Sequence, residues 1–265
     1  MFPHLSGRAT AVTFVVLVLA VSAGTATIAE GLVLAFSPLL VTLLMMLVVT
    51  REGYSRAGWR RLGLARLGLR HWPLVLLTTA GVSLAAVATT VLLGYAQWTA
   101  PGAGWWRDLL ALGITGPVLA LGEELGWRGY LQPRLSFLGE RAAMLVVGLV
   151  WVAWHVPYIV FTPYYDADGN RWLVFALFTG SVLAFSVLFG RFRAVSGSVW
   201  PAVLAHVAHN VTFAVLSTYA ISTDRPVLVN EYLAGDTGLL VLLGTAGCAA
   251  LIGLRARAGA SSAPR

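Results

Sequence analysis

The sequence predicts an all-α, polytopic membrane protein with about eight transmembrane helices. Of its 265 residues 58% are hydrophobic and 11% charged, against roughly 25% charged in a soluble domain. Apolar residues gather into runs of about 20, the length that crosses a hydrocarbon core of roughly 30 Å as a helix. The 18 cations are all arginine and most of them lie between those runs. An ordinary cytosolic enzyme is therefore excluded. Disordered and collagen-like chains are excluded too, because the 11 Pro and 28 Gly are scattered through a strongly apolar sequence. A single cysteine, Cys248, leaves neither an internal disulfide nor a C-x-x-C site. The basic excess reads as membrane topology, not as nucleic-acid binding.

The first apolar run, about 9–29, follows Arg8 in the manner of a signal peptide. Its length and the immediate second run, about 31–50, favour a retained span over a cleaved leader. Segment 51–72 sets Trp59, Leu62, Leu64, Leu67 and Leu69 among arginines. It reads either as an interfacial helix on the anionic leaflet or as a basic loop that sets topology. Runs at about 73–95, 108–132, 142–161, 172–189, 198–221 and 237–254 complete the eight, and the Ala/Gly/Ser/Arg tail from Arg255 need not be ordered. No connection is long enough for a soluble domain, so 1–265 reads as one integral membrane domain with its polar motifs inside 108–221. Gly244, Ala246 and Gly247 in the last run suit helix contact within or between chains, which leaves oligomeric state open.

Arginine counts in alternate connections test this division, because cytoplasmic loops are enriched in cations. One set holds Arg8, Arg51, Arg56, Arg60, Arg61, Arg66, Arg70, Arg128, Arg134, Arg141, Arg191, Arg193, Arg255, Arg257 and Arg265. The other holds only Arg107, Arg171 and Arg225, with Glu30, Asp166, Asp168, Asp224, Glu231 and Asp236 as its acids. A missed or invented helix would scramble this alternation, so fifteen against three predicts both termini in the cytoplasm. The absence of lysine beside so many arginines suggests a GC-rich bacterial genome, hence a bacterial cytoplasmic membrane.

Ionisable groups within a span cost several kcal/mol unless they are paired or face a wet cavity. The run 108–132 holds Glu123-Glu124-Leu125-Gly126-Trp127-Arg128. Glu124 and Arg128 are four apart with the acid first, the favourable orientation for a helical pair. Glu123 sits about 100° round the helix, and a structural pair does not explain it. The run 142–161 places Trp151 one turn before His155, while Pro157 frees the carbonyl of Ala153. A lone His among aromatics is more often a packing residue. His206 and Asn210, at i and i+4, point the same way in the run 198–221, with His209 between them; cross-helix bonding is the bland explanation. At about 1.5 Å per residue, Glu123 lies about 14 Å, His155 about 20 Å and His206 about 12 Å from the cytoplasmic helix ends. One layer near mid-membrane is consistent with a shared cavity.

A carboxylate and an imidazole together hold and deprotonate water, and an imidazole–amide pair stabilises the oxyanion of a tetrahedral intermediate. That combination fits a hydrolase of acyl bonds. No G-x-S-x-G elbow or H-E-x-x-H motif occurs, and Cys248 lies far along the chain from the cluster. Glu123, His155 and His206 are candidates for zinc or another divalent ion, so a metal-dependent and a metal-free mechanism both stand.

Glu123-Glu124-x-x-x-Arg128, followed by Gly129-Tyr130-Leu131-x-Pro133-Arg134-Leu135, then Trp151-x-x-x-His155, then His206-x-x-x-Asn210, resembles the CPBP intramembrane proteases. These are also called the abortive-infection family or type II CAAX prenyl endopeptidases. Order and spacing match over about 88 residues, and the eight-span topology is similar to the family's. The resemblance implies that Glu123 and His155 activate water, that His206 and Asn210 form an oxyanion hole, and that Glu124 and Arg128 support the first motif. The family's second motif usually begins with Phe, where this chain has Trp151. Some members remove the last three residues of prenylated CAAX proteins, and bacterial ones are linked to peptide maturation or bacteriocin immunity. The expected partners are the bilayer and a membrane-associated protein or peptide, reaching the site from the cytoplasmic side. Two other readings use the same residues: a non-catalytic peptide-binding or immunity protein, and a proton-coupled transporter.

Overall fold

The computed structural model describes residues 5–162 and 168–261; Asp166 falls outside them. Helix α1 (Gly7–Thr25) starts at Ser6, whose side chain accepts from the Ala9 N–H. Helix α2 (Leu32–Leu44) runs on as a π-helical turn, Met45–Val49. The basic connection folds as short pieces of which α3 (Arg56–Arg61) is the longest helix. Helices α4 (Trp72–Thr78) and α5 (Ala80–Leu92) follow in line. Helix α6 (Trp105–Glu124) turns into a π-helix over Leu125–Leu131 and ends in the short α7 (Gln132–Arg134). Helices α8 (Glu140–Phe161), α9 (Arg171–Ser196), α10 (Trp200–Val215) and α11 (Leu239–Ser261) complete the order. Asn170 caps α9 by accepting from the Trp172 and Leu173 N–H groups, and Gly197, at φ 64°, closes it in the left-handed conformation.

The fold is all-α and membrane-spanning, with six helices among the described residues that are long and apolar enough to cross a bilayer: Gly7–Thr25, Leu32–Val49, Leu69–Leu92, Trp105–Arg134, Glu140–Phe161 and Arg171–Ser196. The other two expected spans are shorter in these terms. Helix α10 has 16 residues before a π-helical turn, Leu216–Ala220, and the apolar part of α11 is Leu239–Leu254. The single strand pair among the described residues, β1 (Gln97–Trp98) against β2 (Ile221–Ser222), ties the α5–α6 connection to the end of α10.

Six helices close a ring in the order α1, α2, α6, α10, α9, α8, each packed on the next and α8 back on α1. Helices α4, α5 and α11 pack outside it, against α10 and α9. Small residues let the ring close tightly. A Cβ on Gly126 would stand 2.5 Å from Cβ of Pro38, and one on Gly148 2.9 Å from Cβ of Ser186. Side-chain hydrogen bonds cross the same seams, as expected where lipid offers no competing partner. Ser22 donates to the Trp154 carbonyl at 2.7 Å, the Trp154 indole to Ser37 Oγ at 2.8 Å, and Ser186 to the Met144 carbonyl at 2.8 Å.

Residues 51–72 do not form one interfacial helix. Before α4 begins at Trp72, only Arg56–Arg61 is α-helical; Leu62 is buried, the Trp59 indole bonds the Gly53 carbonyl, and Gly63 O accepts from the Val199 N–H. The segment is a plug under the ring, held because its backbone pairs with the α9–α10 connection. The tail from Arg255, which the sequence did not require to be ordered, continues α11 to Ser261. Gly244 packs within the chain, where a Cβ would meet Val82 at 2.7 Å.

Candidate active site

Glu123 and Glu124 occupy the last turn of regular helix in α6 before the π-helix. Such wide turns recur at functional sites, and here the residue spacing differs from the 3.6 periodicity that the sequence suggests. The two carboxylates separate completely. Glu124 is fully buried, and its Oε1 accepts from Arg128 Nη1 at 3.0 Å and from His206 Nδ1 at 3.0 Å. Arg128 is fully buried as well, its guanidinium 4.5 Å from the Trp151 ring centroid and 5.2 Å from that of Phe189. Ring faces thus replace water around the part of the cation that Glu124 does not reach. Glu123, by contrast, is part-exposed at a cavity, and its Oε2 accepts from the Trp151 indole N–H at 3.0 Å.

Helix α8 supplies His155. Its Nδ1 lies 2.8 Å from the Trp151 carbonyl, and a carbonyl only accepts, so Nδ1 carries the hydrogen and neutral Nε2 keeps a lone pair. The ring is clamped by Trp154 at 4.6 Å and Phe178 at 5.1 Å between centroids. Helix α10 supplies His206 and, one turn on, Asn210. His206 gives Nδ1–H to an ion-paired carboxylate, which leaves Nε2 as an acceptor in the neutral ring and a donor in the doubly protonated one. Asn210 is exposed and makes no side-chain hydrogen bond among the described residues. His209 is turned away from both: it is buried, with Nδ1 3.2 Å from Ser83 Oγ and its ring 4.4 Å from that of Phe185.

Glu123, His155, His206 and Asn210 line one cavity of about 520 Å³, within the range of ligand sites. Its walls are apolar, including Leu32, Leu112, Leu119 and Val211. Tyr158 borders it beside Gly31, which sits at φ 84° and where a Cβ would meet the Tyr158 ring at 2.3 Å. Three participants escape a reading of spacing alone: Trp151 as a donor to Glu123, the bond from His206 to Glu124, and Phe189 beneath Arg128. Of these only Trp151 carries a sequence signal, as the departure from Phe in its motif. The candidate metal ligands Glu123, His155 and His206 border the cavity without forming a ligand set. Among the described residues no group of three or more His, Cys, Asp or Glu side chains is placed to hold a metal ion.

No curated protein matches the chain. Residues 103–212 match the family model described as type II CAAX prenyl endopeptidase Rce1-like. The matched stretch contains Glu123, Glu124, Arg128, His155, His206 and Asn210, the residues that carry the resemblance in the sequence. Over this segment the membrane protein is similar to the type II CAAX prenyl endopeptidase Rce1-like family.

Proposed function

We propose that this protein is an intramembrane endopeptidase that hydrolyses a peptide bond in a membrane-associated protein or peptide, in a bacterial cytoplasmic membrane with both termini inside. The observation that carries the reading is the meeting of Glu123, His155, His206 and Asn210, from three helices, around one apolar-walled cavity. Water between the Glu123 carboxylate and His155 Nε2 loses a proton to Glu123 as its oxygen attacks the scissile carbonyl. Trp151 holds Oε2 of Glu123 by its indole N–H, which fixes the carboxylate's orientation. The negative charge developing on the carbonyl oxygen falls to the Asn210 amide and to His206 Nε2–H in its protonated form, supported by Glu124. Glu123 then returns the proton to the leaving amine. Glu124 and Arg128 touch no substrate in this scheme; they hold the floor on which His206 stands.

Purified protein, incubated with a library of membrane-anchored peptides and read by mass spectrometry, tests this. Wild type generates a new peptide terminus that Glu123→Gln does not. Equal cleavage by both removes Glu123 from the mechanism, and survival of every peptide with either protein contradicts an endopeptidase acting on this class of substrate.

A further inference from the structure

Among the described residues, the lining of the cavity runs toward one end of the helix ring. From Glu123 its wall climbs α6 through Leu119 and Thr115 to Leu112, about 16 Å along the axis and within two turns of the helix start. It includes Gly31 and Leu32 at the beginning of α2 and Tyr158 in the last turn of α8. All of these lie toward the end that carries Arg107, Arg171 and Arg225. The strand pair 97–98 with 221–222 and the bond from Tyr219 to Asp108 lie at that same end. In the opposite direction the ring is filled: Met46, Leu62, Trp127, Arg128, Tyr130 and Leu131 are all less than 2% exposed. Beyond them lies the arginine-rich plug of residues 51–72.

Resting on the endopeptidase reading, we infer that the substrate reaches Glu123 from the arginine-poor face, which the cation asymmetry puts outside the cytoplasm. This is opposite to the cytoplasmic approach expected from the sequence. The matching substrate is an exported peptide, or a juxtamembrane segment on the outer side of the membrane, with apolar residues where Leu112, Leu119 and Val211 form the wall. Trp127 and Tyr130, both fully buried, occupy the direct route along the ring that a cytosolic carboxy-terminal tail would take.

Accessibility to a thiol reagent tests the route without reading cleavage. In a Cys248→Ala background, Leu112→Cys marks the cavity wall and Tyr54→Cys, at a position 76% exposed near the arginine-rich end, marks the other face. Thr115→Cys serves as a second wall marker if Leu112→Cys does not fold. Sealed right-side-out and inside-out membrane vesicles are treated with a small, charged, membrane-impermeant methanethiosulfonate. The expected result is modification of Leu112→Cys or Thr115→Cys only in right-side-out vesicles and of Tyr54→Cys only in inside-out ones. Modification of the wall markers from the inside-out vesicles, or from neither, overturns the route, and modification of Tyr54→Cys from the outside overturns the sidedness. A protein with no peptidase activity returns the same labels, so this failure is separate from failure of the endopeptidase reading.

Discussion

The two halves of the helix ring are built from the same six helices and are filled in opposite ways. Toward the arginine-rich end, Trp127, Tyr130, Met46 and Leu62 occupy the interior and the buried ion pair Glu124–Arg128 is wrapped by Trp151 and Phe189. Toward the arginine-poor end the helices present small or modest side chains, among them Gly31, Ala35 and Gly116, and enclose a cavity instead. Glu123 and Glu124 sit at the boundary, one residue apart. The difference teaches that a carboxylate's surroundings here are set by the half it faces: Glu124 is fully buried and bonded to Arg128 and His206, while Glu123 is part-exposed at the cavity.

Substitutions on either side of that boundary sharpen the contrast. The largest effect is expected of Glu123→Gln, which removes the base and lowers cleavage about 10³-fold while the unfolding transition stays at the wild-type temperature. Glu124→Gln breaks a fully buried pair and leaves Arg128 without its counter-ion, at a cost of about 3–5 kcal/mol. It is read as a lower melting temperature in detergent and a lower folded yield. Asn210→Ala, on the open side, is expected to reduce turnover about 10²-fold through loss of an oxyanion donor, again with stability retained. Trp151→Phe restores the residue more usual in the family and deletes the indole N–H that holds Glu123; a turnover about 10-fold lower follows from loss of one hydrogen bond to a charged group. Arg61→Gln is the smallest. Arg61 pairs with Glu52 at 3.4 Å with its side chain 69% exposed, so thermal stability is expected to change by no more than about 0.5 kcal/mol.

The sequence made some of this legible and hid the rest for physical reasons. Glu124 and Arg128 were recognisable as a pair because both lie on one helix and their spacing alone brings them together. The π-helix that follows Glu124 was not, since Leu125–Leu131 has a composition equally suited to a regular helix. Cross-helix partners were hidden as well: the bonds from His206 to Glu124 and from Trp151 to Glu123 join residues 82 and 28 positions apart, and periodicity within one helix carries no register between helices. Counting residues from helix ends put Glu123, His155 and His206 near one depth, but depth says nothing about which way empty space opens. That is decided by volumes meeting across the ring, Trp127 and Tyr130 on one side and Gly31 and Gly116 on the other. Segment 51–72 left two readings open because its leucines suit a lipid surface and a protein surface alike, and contacts made across the fold, such as those of Gly63 with Val199 and Leu64 with Trp200, separate them.

The most direct test sets Glu123→Gln and Glu124→Gln side by side, each measured for thermal unfolding in detergent and for cleavage of the same membrane-anchored peptide. Glu123→Gln is predicted to melt with the wild type and to release no new terminus, while Glu124→Gln melts lower. A Glu123→Gln protein that melts normally and cleaves at the wild-type rate contradicts the division of labour between the two carboxylates and the mechanism built on it.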